Sequence, residues 1–194
     1  GPPHHRRAER AGARPGQQGI GARGGGQGLP YPPIQLVALE LSGAVPNVAV
    51  GYGDLDAATH TTWAVPGMNN DAADGLAGMD KSSLNLYRTQ RDLTRFSGQN
   101  TVVAWLGYDT PGVPPADWGV IGSAYALAAA PRLAMELDGQ FAARSVGPHG
   151  VPVTNVLAHS YGTTVATTAL TLTMHPVDAL VMLGSAGLDT ERVE

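Results

Sequence analysis

The chain has 194 residues, 43% of them hydrophobic, and a formal net charge of −4, enough for one domain with its own core and too little for two. It contains no cysteine, which excludes disulfides, thiol nucleophiles and thiolate metal sites, and nothing suggests a zinc site. The charge is uneven: residues 1–30 hold five Arg against one Glu, whereas residues 31–194 hold seven Lys plus Arg against fifteen Asp plus Glu. That acidic balance argues against nucleic acid as the main partner, because phosphate binding needs a basic face.

Residues 1–30 contain nine Gly and four Pro and almost no large apolar side chain. Such a segment cannot bury enough surface to offset the entropy of ordering and reads as a disordered tail. Within it Gly19-Ile20-Gly21-Ala22-Arg23-Gly24 matches a dinucleotide fingerprint, but no strand precedes it and no helical pattern follows, so it is rejected. The first thirty residues lack the apolar core of a secretory signal, and no apolar run approaches the roughly twenty residues of a membrane span. A cytoplasmic location without a membrane span is the expectation.

Ile34–Leu41 and Asn47–Tyr52 are short β-branched runs separated by Ser42-Gly43 and Pro46, which reads as a hairpin. Asp54 and Asp56 follow, in a turn that lacks the remaining spacing of a calcium loop. His60–Val65 is a third strand, ending in Pro66-Gly67-Met68. Ser82 or Ser83 can cap a helix running to about Phe96. Thr101–Leu106 is a continuous apolar run, as expected of a strand covered on both faces.

Gly107–Pro115 is a loop, and Ala116–Ser145 is helical in period with Pro131 expected to kink or split it. Asn155–His159 is a strand, Ser160–Leu172 a helix, and Asp178–Leu183 a further buried strand. Strands alternating with helices imply a mostly parallel sheet with helices on both faces, of about six strands over residues 31–194. Ligands of such sheets sit beyond the carboxyl ends of the strands. Pro66-Gly67-Met68, Gly107-Tyr108-Asp109, Ser160-Tyr161 and Gly184–Asp189 all follow strands, which brings Tyr108 and Asp109 to the expected pocket; Trp118 and Met68 are weaker candidates for its lining.

Ala158-His159-Ser160-Tyr161-Gly162 sits between a strand and a helix, the context of a nucleophile elbow, where small residues two either side of the serine let the backbone turn sharply. The alternative is a serine capping an ordinary helix. Five segments in order, Gly53-Asp54-Leu55-Asp56 with Ala58 and His60, Val65-Pro66-Gly67, Ala104–Pro111, Ala158–Thr163 and Gly184-Ser185-Ala186-Gly187, together resemble the α/β-hydrolase group of the domain-of-unknown-function 1023 type. Its elbow usually reads GHSYGS. The resemblance covers about residues 35–189, with Ala158 in place of the usual glycine and Thr163 in place of the usual serine.

That resemblance implies an α/β-hydrolase sheet and serine hydrolase chemistry without a settled substrate; a small-molecule ester or other acyl bond, with no cofactor or metal, is the expectation. Ser160 would be the nucleophile, and the N–H of Tyr161 one oxyanion donor. Gly67 or Met68, in the loop after the third strand, would supply the second. A triad on this fold runs Ser, acid, His along the chain. Asp189 can be the acid, with a solvated turn aspartate as its alternative. His175 lies fifteen residues beyond Ser160, roughly 22 Å along a helix, and cannot be the base. His159 points to the other side of the turn and reads as structural. His60 and His149 lie at the wrong ends of their strands.

The chain begins with Gly1 and stops at Glu194, before the acid-bearing strands and late Gly-His pair that the resemblance implies. It therefore reads as the front of a hydrolase, truncated at its C-terminus, without its general base and nearly inactive as it stands. Its last strand would be an exposed apolar edge that favours self-association. The competing reading is a non-catalytic α/β-hydrolase-fold binding module in which the missing histidine is genuine.

Overall fold

The structure, a computed structural model of the chain, describes residues 31–43, 45–70, 75–94, 99–112 and 114–188. The expected tail over residues 1–30 and the candidate acid Asp189 lie outside the described residues. Six strands form one sheet: β1 (Ile34–Glu40), β2 (Asn47–Tyr52), β3 (His60–Val65), β4 (Asn100–Leu106), β5 (Val153–His159) and β6 (Ala179–Leu183). Three helices connect them, α1 (Leu76–Leu93), α2 (Ala124–Ser145) and α3 (Gly162–Leu170), with a short 3-10 turn at Gly119–Ile121 ahead of α2.

The strand order is β1-β2-β4-β3-β5-β6. β1, β2 and β4 pair antiparallel, and the pairs β3–β4, β3–β5 and β5–β6 are parallel. The β1–β2 hairpin is thus an antiparallel edge on a parallel block, a common form of mixed sheet. β4 lies inside it with all seven residues buried, because its Val102–Leu106 run meets a helical layer on each face. Val102, Ala104 and Leu106 pack with Met79 and Leu84 of α1. Val103 and Trp105 pack with Ala126, Leu133 and Leu137 of α2 and Val165 and Ala169 of α3.

Trp63 and Trp105 are the two largest fully buried side chains, and each finds an acceptor for its indole N–H on α2. Trp63 Nε1 donates to Gln140 Oε1 at 2.8 Å and Trp105 Nε1 to Glu136 Oε2 at 3.1 Å, as a buried indole requires. β6 is the opposite edge of the sheet, with Val181, Met182 and Leu183 all exposed.

Two local expectations are corrected. α1 starts at Leu76, ahead of Ser82 and Ser83, and neither serine caps it: its N-cap is Gly75, with no side-chain cap bond, and Ser83 is buried on its inner face. Burial of Met79, Ser83 and Leu84 extends the helix backward; packing, rather than a capping serine, sets its start. The helix is described to Leu93, and the expected end near Phe96 lies outside the described residues. The long helical stretch divides at Gly122-Ser123 instead of at Pro131, which sits inside an unbroken α2. Pro131 is exposed, so the carbonyl it leaves without a helical donor lies on the side of α2 that meets solvent.

Candidate active site

β3 pairs with β4 on one side and β5 on the other, so the chain leaves β3 in one direction and returns on its other flank. The connections that follow β3 and β5 therefore run to opposite sides of the pair, the arrangement at which sheets of this kind bind ligands. Val65 is in register with Ala158, which sets Pro66-Gly67 beside His159-Ser160.

Ser160 has φ of 52°, in the left-handed region that a non-glycine residue enters at a cost of order 1–3 kcal/mol. The position is held from both sides. Its N–H donates to Leu183 O at 2.8 Å, and its carbonyl accepts from Thr163 N at 3.0 Å and Thr163 Oγ1 at 2.7 Å. Ser160 is outside the helix, half-buried, and its Oγ has no protein partner among the described residues.

The turn's neighbours explain its small residues. A β-carbon on Gly162 would meet Pro66 O at 2.3 Å and Val65 O at 2.7 Å, so only glycine lets α3 begin against the end of β3. A β-carbon on Gly67 would lie 2.6 Å from Ser160 Cβ, 2.9 Å from His159 O and 3.2 Å from Ser160 Oγ. Gly67 is thus packed directly on the serine. Ala158 places its methyl in the buried cluster shared with α2 and α3, which accounts for a residue other than glycine there.

Among the described residues no acceptor is bonded to the backbone N–H of Gly67, Met68 or Tyr161. The Met68 loop is pinned nevertheless: Asn70 Nδ2 donates to Met68 O at 2.7 Å, Asn70 N to Thr110 Oγ1 at 3.1 Å and Asn69 N to Pro111 O at 3.0 Å. Asn69 also has a positive φ, 55°.

Tyr108 is buried, and its hydroxyl donates to Pro66 O at 2.8 Å. Burial, followed by the nearby Tyr161 phenol, pushes its pKa up. It therefore stays a neutral donor that braces the loop on which Gly67 sits. Tyr161 is likewise buried; its hydroxyl donates to Gly122 O at 2.6 Å and accepts from Ala126 N at 3.3 Å. Its pKa too is raised, first by burial. Asp109 is exposed; with Tyr108 it lines a cavity beside the β1–β2 turn and Arg132 that none of Ser160, Gly67 or Met68 borders. Trp118 is exposed on the turn before α2.

Five contacts escaped the sequence reading. Asp117 accepts N–H bonds from Gly112 and Gly119, both at 2.7 Å, and Tyr125 OH at 3.2 Å, tying the loop after β4 together. The Gly119 and Gly112 bonds hold its carboxyl below the usual carboxylate range. Thr163 Oγ1 lies 3.0 Å from Ser185 Oγ, and Thr164 Oγ1 donates to Gly187 O at 2.9 Å, fastening the loop after β6 to the start of α3. The Asp117 bonds join residues of one loop, whereas the Thr163 and Thr164 contacts depend on β6 pairing beside β5.

The histidines do not gather at Ser160. His159 is exposed and lines a cavity of about 430 Å³ on the α1 face, with Leu157, Leu183, Asn70 and Ser83. His175 stacks on Phe141, with ring centroids 3.7 Å apart, and its Nδ1 lies 3.1 Å from Asp138 Oδ1. Asp138 also accepts the N–H groups of Met174 and His175. His60 contacts Thr59 at the amino end of β3. Among the described residues no three His, Asp or Glu side chains converge as metal ligands, and no helix is long and apolar enough to cross a membrane.

Sequence comparison agrees with this architecture. The profile of the family described as "Alpha/beta hydrolase" matches residues 43–193. The chain is also 32% identical over 162 residues to "Uncharacterized protein Rv2079" of Mycobacterium tuberculosis strain H37Rv and to "Uncharacterized protein MT2140" of strain CDC 1551. The match takes in 81% of this chain but only 24% of either relative, so the chain spans about a quarter of their length. With its mostly parallel sheet, its flanking helices and a match over most of its length, the chain belongs to the α/β-hydrolase family.

Proposed function

We propose that this domain is a serine hydrolase of the GHSYGS-elbow group, cleaving an ester or other acyl bond of a small molecule. Ser160 is the nucleophile, and the N–H groups of Tyr161 and of Gly67 or Met68 stabilise the oxyanion. The observation that carries this reading is the contact between the two loops: a serine at φ of 52° with Gly67 packed on its side chain. A strained residue of this kind persists only where its surroundings over-determine it, and such strain clusters at active sites. A substrate carbonyl above Ser160 Oγ would meet unpartnered N–H groups from both loops. Each donor to a developing oxyanion lowers the barrier by about 3 kcal/mol.

In this reading Asp189 is the candidate acid, and the general base comes from beyond the described residues. Turnover depends on that base, because removing a triad member leaves only the residual rate from binding and the oxyanion hole. The acidic balance of residues 31–194 fits a small-molecule substrate better than nucleic acid. A non-catalytic binding module is the second reading, favoured by one observation: no histidine ring is bonded to Ser160 among the described residues.

Hydrolysis of short p-nitrophenyl esters by the protein expressed with its full natural reading frame separates the two. The proposal predicts turnover that falls at least about a thousandfold in Ser160→Ala. Turnover that is absent, or unchanged by the substitution, supports the binding module.

A further inference from the structure

We infer that the cavity between α2 and the β1–β4 half of the sheet is a binding site for a small apolar molecule carrying a protonated amine, with Glu136 as its counter-charge. The cavity is about 410 Å³, within the range of small-ligand pockets. None of Ser160, Gly67 or Met68 borders it. Its walls are apolar, formed by Val37, Leu55, Trp63, Val103 and Met135. Four polar side chains also line it: Asp56, Glu136, Gln140 and Arg144.

Three of these four have fixed or outward roles. Gln140 accepts from Trp63 and donates to Thr154 Oγ1 at 2.9 Å. Arg144 is buried, with Nη1 and Nη2 donating to Leu55 O at 2.6 Å and Ala58 O at 2.8 Å. Its remaining Nε–H is enclosed by protein and has no partner. Asp56 is exposed at the rim.

Glu136 differs. Its Oε2 accepts from the Trp105 indole, whereas Oε1 has no partner among the described residues and is not enclosed. Arg132, one turn earlier on α2, is the nearest cation in sequence, but it is taken by Glu40 and Gly107 O. No cation lies within ion-pairing distance of Glu136 among the described residues.

The carboxyl thus lines a mostly apolar cavity with one accepting oxygen free and no cation within ion-pairing distance among the described residues. Burial raises its pKa to about 7, against weaker lowering by the Trp105 bond and Arg132 and a further rise from Glu40. A cation beside Oε1 would favour the ionised form. An amine with an apolar body satisfies both the charge and the walls, and its binding must release a proton wherever Glu136 is still protonated.

Calorimetric titration of the full chain with hexylamine, 1-hexanol and hexanoate tests this. Hexylamine is expected to bind best, with an affinity about thirtyfold higher at pH 8.5 than at pH 5.5 if only the ionised carboxyl receives it. Proton release should accompany binding near pH 6. Glu136→Gln keeps an acceptor for Trp105, and should lower hexylamine affinity at least about tenfold at pH 8.5 while leaving 1-hexanol unchanged. Gly139 lines the cavity and has nothing within 4 Å of where its β-carbon would stand, so Gly139→Leu should block all three probes by filling the space.

Tighter binding of hexanoate, which would point to Arg144 instead, overturns the inference. So does equal binding of 1-hexanol, a pH-independent hexylamine affinity, hexylamine binding that survives Glu136→Gln, or no hexylamine binding at all.

Discussion

At Gly67 a methyl group has nowhere to go: its carbon would stand 2.6 Å from Ser160 Cβ and 2.9 Å from His159 O. Gly67→Ala must therefore displace either the loop after β3 or the serine itself. Overpacking of this kind costs about 1–3 kcal/mol. On the proposed chemistry the misplacement also slows reaction of Ser160 with an acyl or phosphonyl probe by roughly a hundredfold. Thermal denaturation and the labelling rate check the two effects separately; a variant with both unchanged would show that the contact is not made. The serine's type and its flanking small residues are local features, readable in the chain as Ala158–Gly162. The contact with Gly67 is not local, and becomes visible only through the pairing of Val65 with Ala158.

At the scale of elements, the start of α3 and the middle of α2 give opposite expectations for the same substitution. Gly162→Ala drives a methyl into the carbonyls of Pro66 and Val65 and should destabilise by about 2–3 kcal/mol. Gly139→Ala in α2 meets open space and should stabilise by about 0.5–1 kcal/mol through helix propensity alone. Urea denaturation of both variants checks the pair, and similar shifts for the two would contradict the packing described. The sequence was informative about elements where burial and period coincide, as in β4, whose apolar run is covered on both faces. It was less so for α1, because Gly75 makes no side-chain cap and Ser83 is a buried helical residue rather than a start signal. Pro131 misled for a related reason: its exposure, a property of the packed domain, lets α2 continue.

For the molecule as a whole, two carboxyls give stability opposite dependences on pH. Glu136 has its folded pKa raised, mainly by burial, to about 7, so its contribution is fully present below the unfolded carboxyl value and is lost as pH rises through about 7. Asp117 has its folded pKa lowered, first by the Gly119 N–H bond. Its contribution is present above the unfolded value and is lost as pH falls through the folded one. Removing the Glu136 penalty with Glu136→Gln should therefore raise stability at pH 8 by about 1 kcal/mol, allowing for partial exposure, with little change at pH 5. Denaturation at the two pH values checks this, and an equal shift at both would contradict it.

The contacts that organise the molecule around its candidate site join distant residues: Tyr108 to Pro66, Tyr161 to Gly122 and Trp105 to Glu136 are 42, 39 and 31 positions apart. The order of strands and helices foretold which loops would meet. It could not foretell which side chains would brace them, since these depend on register and on the depth at which α2 packs.

The central claim is that Ser160 is a nucleophile made reactive by its turn. Treatment of the protein, expressed with its full natural reading frame, with a fluorophosphonate followed by intact-mass and peptide analysis tests it most directly. The account predicts a single phosphonyl adduct on the peptide that contains Ser160, absent from Ser160→Ala. An adduct that persists in that variant, or no adduct on the unsubstituted protein, would contradict it.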